Sequence, residues 1–425
     1  MNSYLSKLIL LFLLFFRRVF KLLNHLIVMK IILLNGHGIS LWVDSAKLHV
    51  KDGSFTMEEE PQHYVFNPKR VDIEHVVIYG QDGNITLDAI RWMVKHNIQV
   101  SFLNWDGKLL TSMLPPESVE VKTKFAQYNM YNDFPKRLSI AKRFIAAKFA
   151  RTQLVLDWLK ERYPEINNDF SSESQYFRNI RSISDILMCE GRVARQYWNE
   201  FSKIVPKEYE FEGRKTLQHP RAAGDMANVM LNYGYTLLEA EILRAINSVG
   251  LDCHIGFLHE KCMGKNSLAY DFQELFRFLV DLTVIDLIET KAMQKKDFIR
   301  TENYNLRLRP TGARKVTETF NKQMNKMVTY YNKQCSWSYV ILLKVRELAA
   351  YVNGKSRDLD FLTPDVTLNR VDSEELRQKI ISITYAQWKK LGFSKGTLHY
   401  MKKNAMSDKP FTLNKHVRER LNSLA

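Results

Sequence analysis

Residues 139–163, SIAKRFIAAKFARTQLVLDWLKERY, place Ile140, Phe144, Ala147, Leu154 and Trp158 at spacings that share a helix face. The same period continues through FRNIRSISDILMCEGRVARQYWNEFSKI, DMANVMLNYGYTLLEAEILRAINSVG and SLAYDFQELFRFLVDLTVIDLIETKAM. Upstream the pattern is different. KIILLNGHGISLWVDSAKLHVKDG alternates apolar and polar residues and breaks at Asn35-Gly36 and Asp52-Gly53, a hairpin signature. HVVIYG (75–80) reads as a buried strand and TLDAIRWMVKHN (86–97) as a short amphipathic helix. IQVSFLNWDGKLL reads as a strand entering a hairpin turn at Asp106-Gly107. Pro115-Pro116 closes this region, because the ring of a proline disfavours helix in the residue before it.

The expected fold class is therefore α+β. A β-rich N-terminal domain of hairpins plus a short helix covers 29–115, and an all-α domain covers 117–350. A linker follows over 351–371, where AYVNGKSRDLDFLTPDVTLNRVD carries Gly354, Pro364 and several Asp. Residues 372–425 read as a small helix-turn-helix. DSEELRQKIISITYAQWKKL is one helical pattern, Gly392-Phe393 a tight turn, and Ser394 the N-cap of KGTLHYMKKNAM. On that last helix Lys395, His399, Lys402 and Lys403 crowd one side, while Leu398 and Met401 are placed to pack inward. In such a motif the second helix enters the DNA major groove. The alternative is a solvated basic brace.

Composition agrees with a polyanion partner. Of 425 residues, 62 are Lys or Arg and 46 Asp or Glu, a formal charge of +16. From Arg377 to Arg420 eleven basic residues face two acids. At 45% hydrophobic and 25% charged, the chain is neither mostly disordered nor a many-span membrane protein. Four cysteines are too few for a disulfide scaffold and fit a reducing, cytoplasmic setting. The apolar run Leu8–Phe16 stops at Arg17-Arg18, short of the roughly 20 residues a spanning helix needs. Residues 1–28 are read as a leader or start-site artefact ahead of Met29, in preference to a surface-lying membrane helix.

The chemistry concentrates in GLDCHIGFLHEKCMGKNSLAYDFQELFRFLVD (250–281), which brings His259, Asp271 and Glu274 close together. On a helix Asp271 and Glu274 are i and i+3 and share a face. A histidine with carboxylates suits Mn²⁺ or Mg²⁺, which can activate a hydroxyl and offset charge on a phosphodiester. The bland alternative is a solvated acidic face beside an ordinary loop histidine. Glu190 is a second candidate, since Ile183, Ile186 and Leu187 pull its helix into a core where a lone carboxylate is costly. Arg192 or Arg195 could instead pair with it. Cys253, His254, His259 and Cys262 lack the paired CxxC knuckles of a structural zinc site. Gly36-His37-Gly38 precedes no helix, and no nucleophile elbow is present.

Three blocks together resemble the CRISPR-associated spacer-acquisition integrase family: CEGRVARQYW, DMANVMLNYGYTLLEAEI around Asn228, Asn232 and Tyr233, and GLDCHIGFLHEKCMGKNSLAYDFQELFR. The resemblance spans roughly Met29 to Lys344. It implies a divalent-metal-dependent DNA endonuclease/integrase with Glu190, His259 and Glu274 as ligands and Asp271 as a supporting acid. The departures are Asp225-Met226-Ala227-Asn228, Leu251-Asp252-Cys253 and Phe278, and none removes an implied ligand. The C-terminal helix-turn-helix resembles the casposases, relatives that insert mobile elements with terminal inverted repeats. A CRISPR-array role in antiviral defence is the alternative, and a non-catalytic DNA-binding protein a more distant one. Double-stranded DNA is the expected partner, contacted by Lys261, Lys265, Ser394, Lys395, His399, Lys402 and Lys403. The resemblance also implies a homodimer or higher assembly, with the β-rich domain as dimer surface. An array-associated role would add a small adaptation partner subunit.

Overall fold

The computed structural model describes residues 31–54, 61–69, 71, 73–80, 82–104, 107–114, 121–214, 224–259, 265–300, 306–364, 366, 374–406, 413, 417, 420 and 421. The leader 1–28, Lys261, Cys262 and Asp106 lie outside them. The chain divides into two compact units near residue 116.

The N-terminal unit contains two four-stranded sheets. One has the order β1 (Ile31–Leu34), β5 (His75–Ile78), β7 (Gln99–Leu103), β8 (Leu109–Met113), and the other β4 (His63–Phe66), β3 (Lys47–Lys51), β2 (Ile39–Asp44), β6 (Gly83–Ile85). The first three strands of the former run parallel, and β7 turns back on β8. Ile32, Leu34, Val76 and Val100 from one sheet share a core with Leu41, Leu48 and Val50 from the other. Helix α1 (Leu87–Lys95) adds Ala89, Trp92 and Met93 to it.

The hairpin signals at Asn35-Gly36 and Asp52-Gly53 mark something else. β1 and β2 belong to different sheets, so Asn35-Gly36 is a crossing between layers. Asp52 Oδ1 accepts from Asn35 N at 2.6 Å, and a Cβ on Gly53 would stand 2.5 Å from the Gly36 carbonyl carbon. The glycines allow two backbones to touch. The actual turn joins β2 to β3 at Ser45 and Ala46, both at positive φ, and Trp92 Nε1 donates to the Ala46 carbonyl at 3.0 Å. Neither residue advertises a left-handed turn.

The second unit is mainly helical. In order it contains α2 (Val121–Asn132), α3 (Phe134–Lys160), α4 (Ser171–Arg178), α5 (Ile183–Ile204), α6 (Met226–Val249), α7 (Ser267–Glu289), α8 (Pro310–Met324) and α9 (Trp337–Val352). Two small hairpins, β9 (Phe298–Arg300) with β10 (Leu306–Leu308) and β11 (Met327–Tyr330) with β12 (Lys333–Ser336), correct the all-α expectation. α7 is the central element, packed against α3, α6 and α8 and buried along most of its length. α3 begins earlier than residue 139, at an Asp133 cap whose carboxylate accepts from Lys136 N.

The expected linker is not a free tether in its described part. Leu359, Phe361 and Thr363 are buried, and Phe361 stacks on Phe144 of α3 and meets Phe272 of α7 edge-on. Arg143 and Arg151 of α3 donate to the Leu359 and Thr363 carbonyls, and Lys344 Nζ donates to the Asp360 carbonyl at 2.8 Å.

The C-terminal segment builds its own core from Ile380, Ile383, Trp388, Leu391, Leu398 and Ala405. The single helix expected over 372–391 is two, α10 (Glu374–Ser382) and α11 (Tyr385–Lys390). Thr384 and Gln387 form a capping box that starts α11 afresh. The turn at Gly392, with φ 81°, leads to α12 (Lys395–Ala405), capped by the Ser394 hydroxyl accepting from Thr397 N. Leu398 is buried, while Ser394, Lys395, His399 and Lys403 are exposed. No helix among the described residues is long and apolar enough to cross a membrane.

Candidate active site

The interface of α3 and α5 creates the site. Ala141 and Ile145 of α3 interlock with Ile183, Ile186 and Cys189 of α5. One turn farther on, the apolar contact gives way to Lys148 and Glu190, which form an ion pair. From α7, Glu274 brings Oε2 to 2.6 Å from the same ammonium, and Arg277 Nη1 lies 3.3 Å from Glu274 Oε1. Lys148 is 14% exposed and Glu274 7%, so these charges interact with little solvent screening. Burial would lower the pKa of Lys148, but Glu274 and Glu190 outweigh it and raise it. Burial would raise the Glu274 carboxyl, yet Lys148 and Arg277 hold it down at about 2.

His259 enters from the loop before α7. Leu258 plugs into the α3–α5 cluster and Phe257 is fully buried, which fixes the loop on both sides. Asp271 does the rest. Its Oδ2 accepts from Phe257 N and, at 3.0 Å, from Leu258 N. Its Oδ1 accepts from His259 N at 2.9 Å and lies 2.8 Å from His259 Nδ1. Gly256 is needed for this closeness, since a Cβ there would stand 2.9 Å from Asp271 Oδ2 and 2.8 Å from the Ser267 carbonyl. With Nδ1 bound to a carboxylate, Nε2 is the nitrogen left for a ligand. Burial opposes protonation of His259, but the hydrogen bond and charge of Asp271, then Glu274, raise its pKa.

Glu190 and Glu274 thus meet at Lys148, and His259 comes from a third part of the chain, oriented by Asp271. Their ligand atoms do not all lie within 4.8 Å of one another, and the Lys148 ammonium stands between the two carboxylates. The donor set fits a hard divalent cation that tolerates one imidazole. Glu274 Oε2 supports the fit: it is buried and faces the Lys148 ammonium at 2.6 Å, so a cation already occupies the place a metal would take. Neither Arg192 nor Arg195 takes up Glu190; Arg192 pairs with Glu173 instead.

A cavity of about 600 Å³ adjoins these residues, lined by Lys148, Glu190, Glu274, Arg277, Arg214 and Trp198 among others. Sequence reading missed its cationic wall. Arg214 donates to Asn228 Oδ1 at 2.7 Å and Asn232 Oδ1 at 2.9 Å, which explains both asparagines on α6. Asp281 accepts from Tyr197 and Tyr235 at 2.8 and 2.7 Å, and Arg277 stacks over the Tyr235 ring. A carboxylate three residues before an arginine on a buried helix was the available signal for Arg277.

Asp252, Cys253 and His254 also cluster, but in the turn before α7. Asp252 accepts from His254 N and from Tyr128, and His254 Nδ1 lies 3.0 Å from the Lys265 carbonyl. His259 is not part of that group. Burial, then Glu173, pushes the Cys189 thiol up to about 11, which leaves it inert. Lys265 is exposed beside this turn.

A buried and a half-buried glutamate at the edge of a cavity walled by arginine, with an oriented histidine nearby, suit metal-dependent phosphodiester chemistry. The family described as CRISPR associated protein Cas1 matches residues 40–322. A CRISPR-associated endonuclease Cas1 of Archaeoglobus fulgidus is 30% identical over 77% of this chain and 97% of its own. A solved structure of a casposase bound to integration product is 59% identical, with a TM-score of 0.79, over 84% of this chain and all of that one. A Cas1 protein from Thermotoga maritima shares the fold at 21% identity and a TM-score of 0.63, over 76% of this chain and 97% of that one. The chain belongs to the Cas1 family. It is a casposase-like, divalent-metal-dependent DNA endonuclease/integrase.

For a metal held by His259, the raised pKa of that residue would set the pH dependence of binding. A protonated imidazole adds stability to the metal-free fold below the ordinary value of 6.5, and that stability is lost as pH rises through the folded pKa. Metal binding runs the other way, because a cation on Nε2 must displace that proton. Mn²⁺ affinity, read by electron paramagnetic resonance between about pH 5 and 8, is expected to fall about tenfold per unit on the acid side of that pKa.

Proposed function

We propose that Glu190, His259 and Glu274 hold Mn²⁺ or Mg²⁺ and that the protein joins the 3′-hydroxyl of a DNA end to a target phosphodiester. The observation that carries this reading is the meeting of Glu190 and Glu274 on one ammonium, beside a histidine whose Nδ1 is already taken. The bound cation would lower the pKa of the attacking hydroxyl and offset charge on the pentavalent transition state. Asp271, which lies 2.8 Å from His259 Nδ1, would leave Nε2 for the cation. Arg277 and Arg214 offer guanidinium groups along the cavity where phosphates would lie. Cys189, next to Glu190, has a thiol pKa raised by burial and Glu173 and makes a poor nucleophile, in keeping with direct in-line attack without a covalent protein intermediate.

The basic face of α12, with exposed Lys395, His399 and Lys403 and half-buried Lys402, would bind the DNA end, and Lys261 and Lys265 would follow its backbone. The 59% identity to a casposase favours insertion of a mobile element with inverted-repeat ends over array adaptation. Two ends joined in concert call for a homodimer or larger assembly.

The test is joining of a 3′-hydroxyl oligonucleotide to supercoiled plasmid with Mn²⁺ present. Glu190→Ala and His259→Ala are each expected to reduce joining by about 10²-fold or more, and a 3′-phosphate oligonucleotide to give none. Undiminished joining by both variants would remove the site. Replacing inverted-repeat ends with CRISPR-derived ends separates the mobile-element role from the array role.

A further inference from the structure

Lys148 is the only cation in direct contact with both proposed carboxylate ligands among the described residues. It comes from α3, whereas Glu190 and Glu274 come from α5 and α7. Two carboxylates brought together in a buried place repel each other, and an unpaired buried carboxylate is costly. An ammonium between them removes both penalties. Together with Arg277, Lys148 balances the charge of Glu190 and Glu274 one for one.

A divalent ion on the same oxygens cannot coexist with that ammonium, because like charges at contact distance in a buried site repel strongly. Lys148 carries its charge on a flexible four-carbon stem and lines the adjoining cavity of about 600 Å³. A place for the displaced ammonium is therefore at hand.

We propose that Lys148 is a tethered place-holding cation, which keeps Glu190 and Glu274 assembled before the metal arrives and must swing into the cavity when it binds. This rests on the metal-site reading above. Lys148 then acts through the carboxylates as a positioning residue, and it competes with the metal it prepares for. The wild-type site trades affinity for pre-assembly. The ordinary structural role makes the opposite prediction, since loss of a merely structural lysine leaves the ligands misplaced and weakens metal binding.

The experiment measures Mn²⁺ binding by calorimetry and thermal unfolding with and without Mn²⁺, for wild type, Lys148→Gln and Lys148→Arg. Lys148→Gln is expected to bind Mn²⁺ about tenfold more tightly and to melt lower without metal. It should also gain more in Tm from Mn²⁺ than wild type does. Lys148→Arg, which keeps the charge, is expected to bind no more tightly than wild type. Equal or weaker binding by Lys148→Gln overturns the proposal while leaving the metal site standing. Should Lys148→Gln fail to fold without metal, recovery of a folded protein on adding Mn²⁺ supports the proposal and no recovery overturns it. Tighter binding by Lys148→Arg overturns it. Absence of Mn²⁺ binding by wild type overturns the metal-site reading and this one together.

Discussion

Glu274→Ala is expected to lower DNA joining by about 10³-fold and to destabilise the protein by about 3–5 kcal/mol. Both effects have one origin. In the proposed site Glu274 would offer a buried oxygen to the metal, and it also balances two half-buried cations, Lys148 and Arg277. Alanine leaves those cations facing each other with Glu190 alone to offset them. Glu274→Asp keeps the charge and is expected to retain most of the stability and measurable joining. Urea unfolding and the plasmid-joining assay read the two effects separately. Because the carboxyl is held at about 2, the stability it provides is complete above its ordinary 4.5. That stability is lost as pH falls towards 2.

The second large effect is expected at Asp271. Its side chain is fully buried and serves the Phe257, Leu258 and His259 amides as well as His259 Nδ1. Alanine leaves those donors without an acceptor in a dry environment, a cost of about 3–5 kcal/mol. Joining should fall about 10²-fold, because the loop no longer fixes the tautomer and direction of His259. Asp271→Asn is expected to behave more like alanine than its shape suggests. The asparagine NH₂ would point at amide donors that the second carboxylate oxygen now serves. An Mn²⁺ affinity that survives Asp271→Asn unchanged would contradict this account.

Much of this was legible in the sequence. The helical period from residue 139, the buried strand within 75–80 and the Ser394 cap follow from local pattern alone. Glu190, His259 and Glu274 were nameable because their blocks resemble a family, while Glu190 on its own was ambiguous. Lys148 was invisible for a physical reason: it sits on a long helix where basic residues usually reach solvent. Its position one turn beyond buried Ala141 and Ile145 was the available hint. The linker reading failed because Gly354, Pro364 and the aspartates masked Leu359 and Phe361, whose burial depends on ring partners far away in the chain. The break at Thr384 was written as a T-x-x-Q box inside an otherwise continuous helical pattern.

The packing of residues 359–363 sets a practical boundary for dissecting this enzyme. A truncation at residue 355, chosen to strip off the tail helices, would also pull Phe361 from between Phe144 and Phe272, on the two helices that carry Lys148 and Glu274. Such a fragment would lose its chemistry for reasons unrelated to DNA grip. A cut placed after Pro364 separates the two questions.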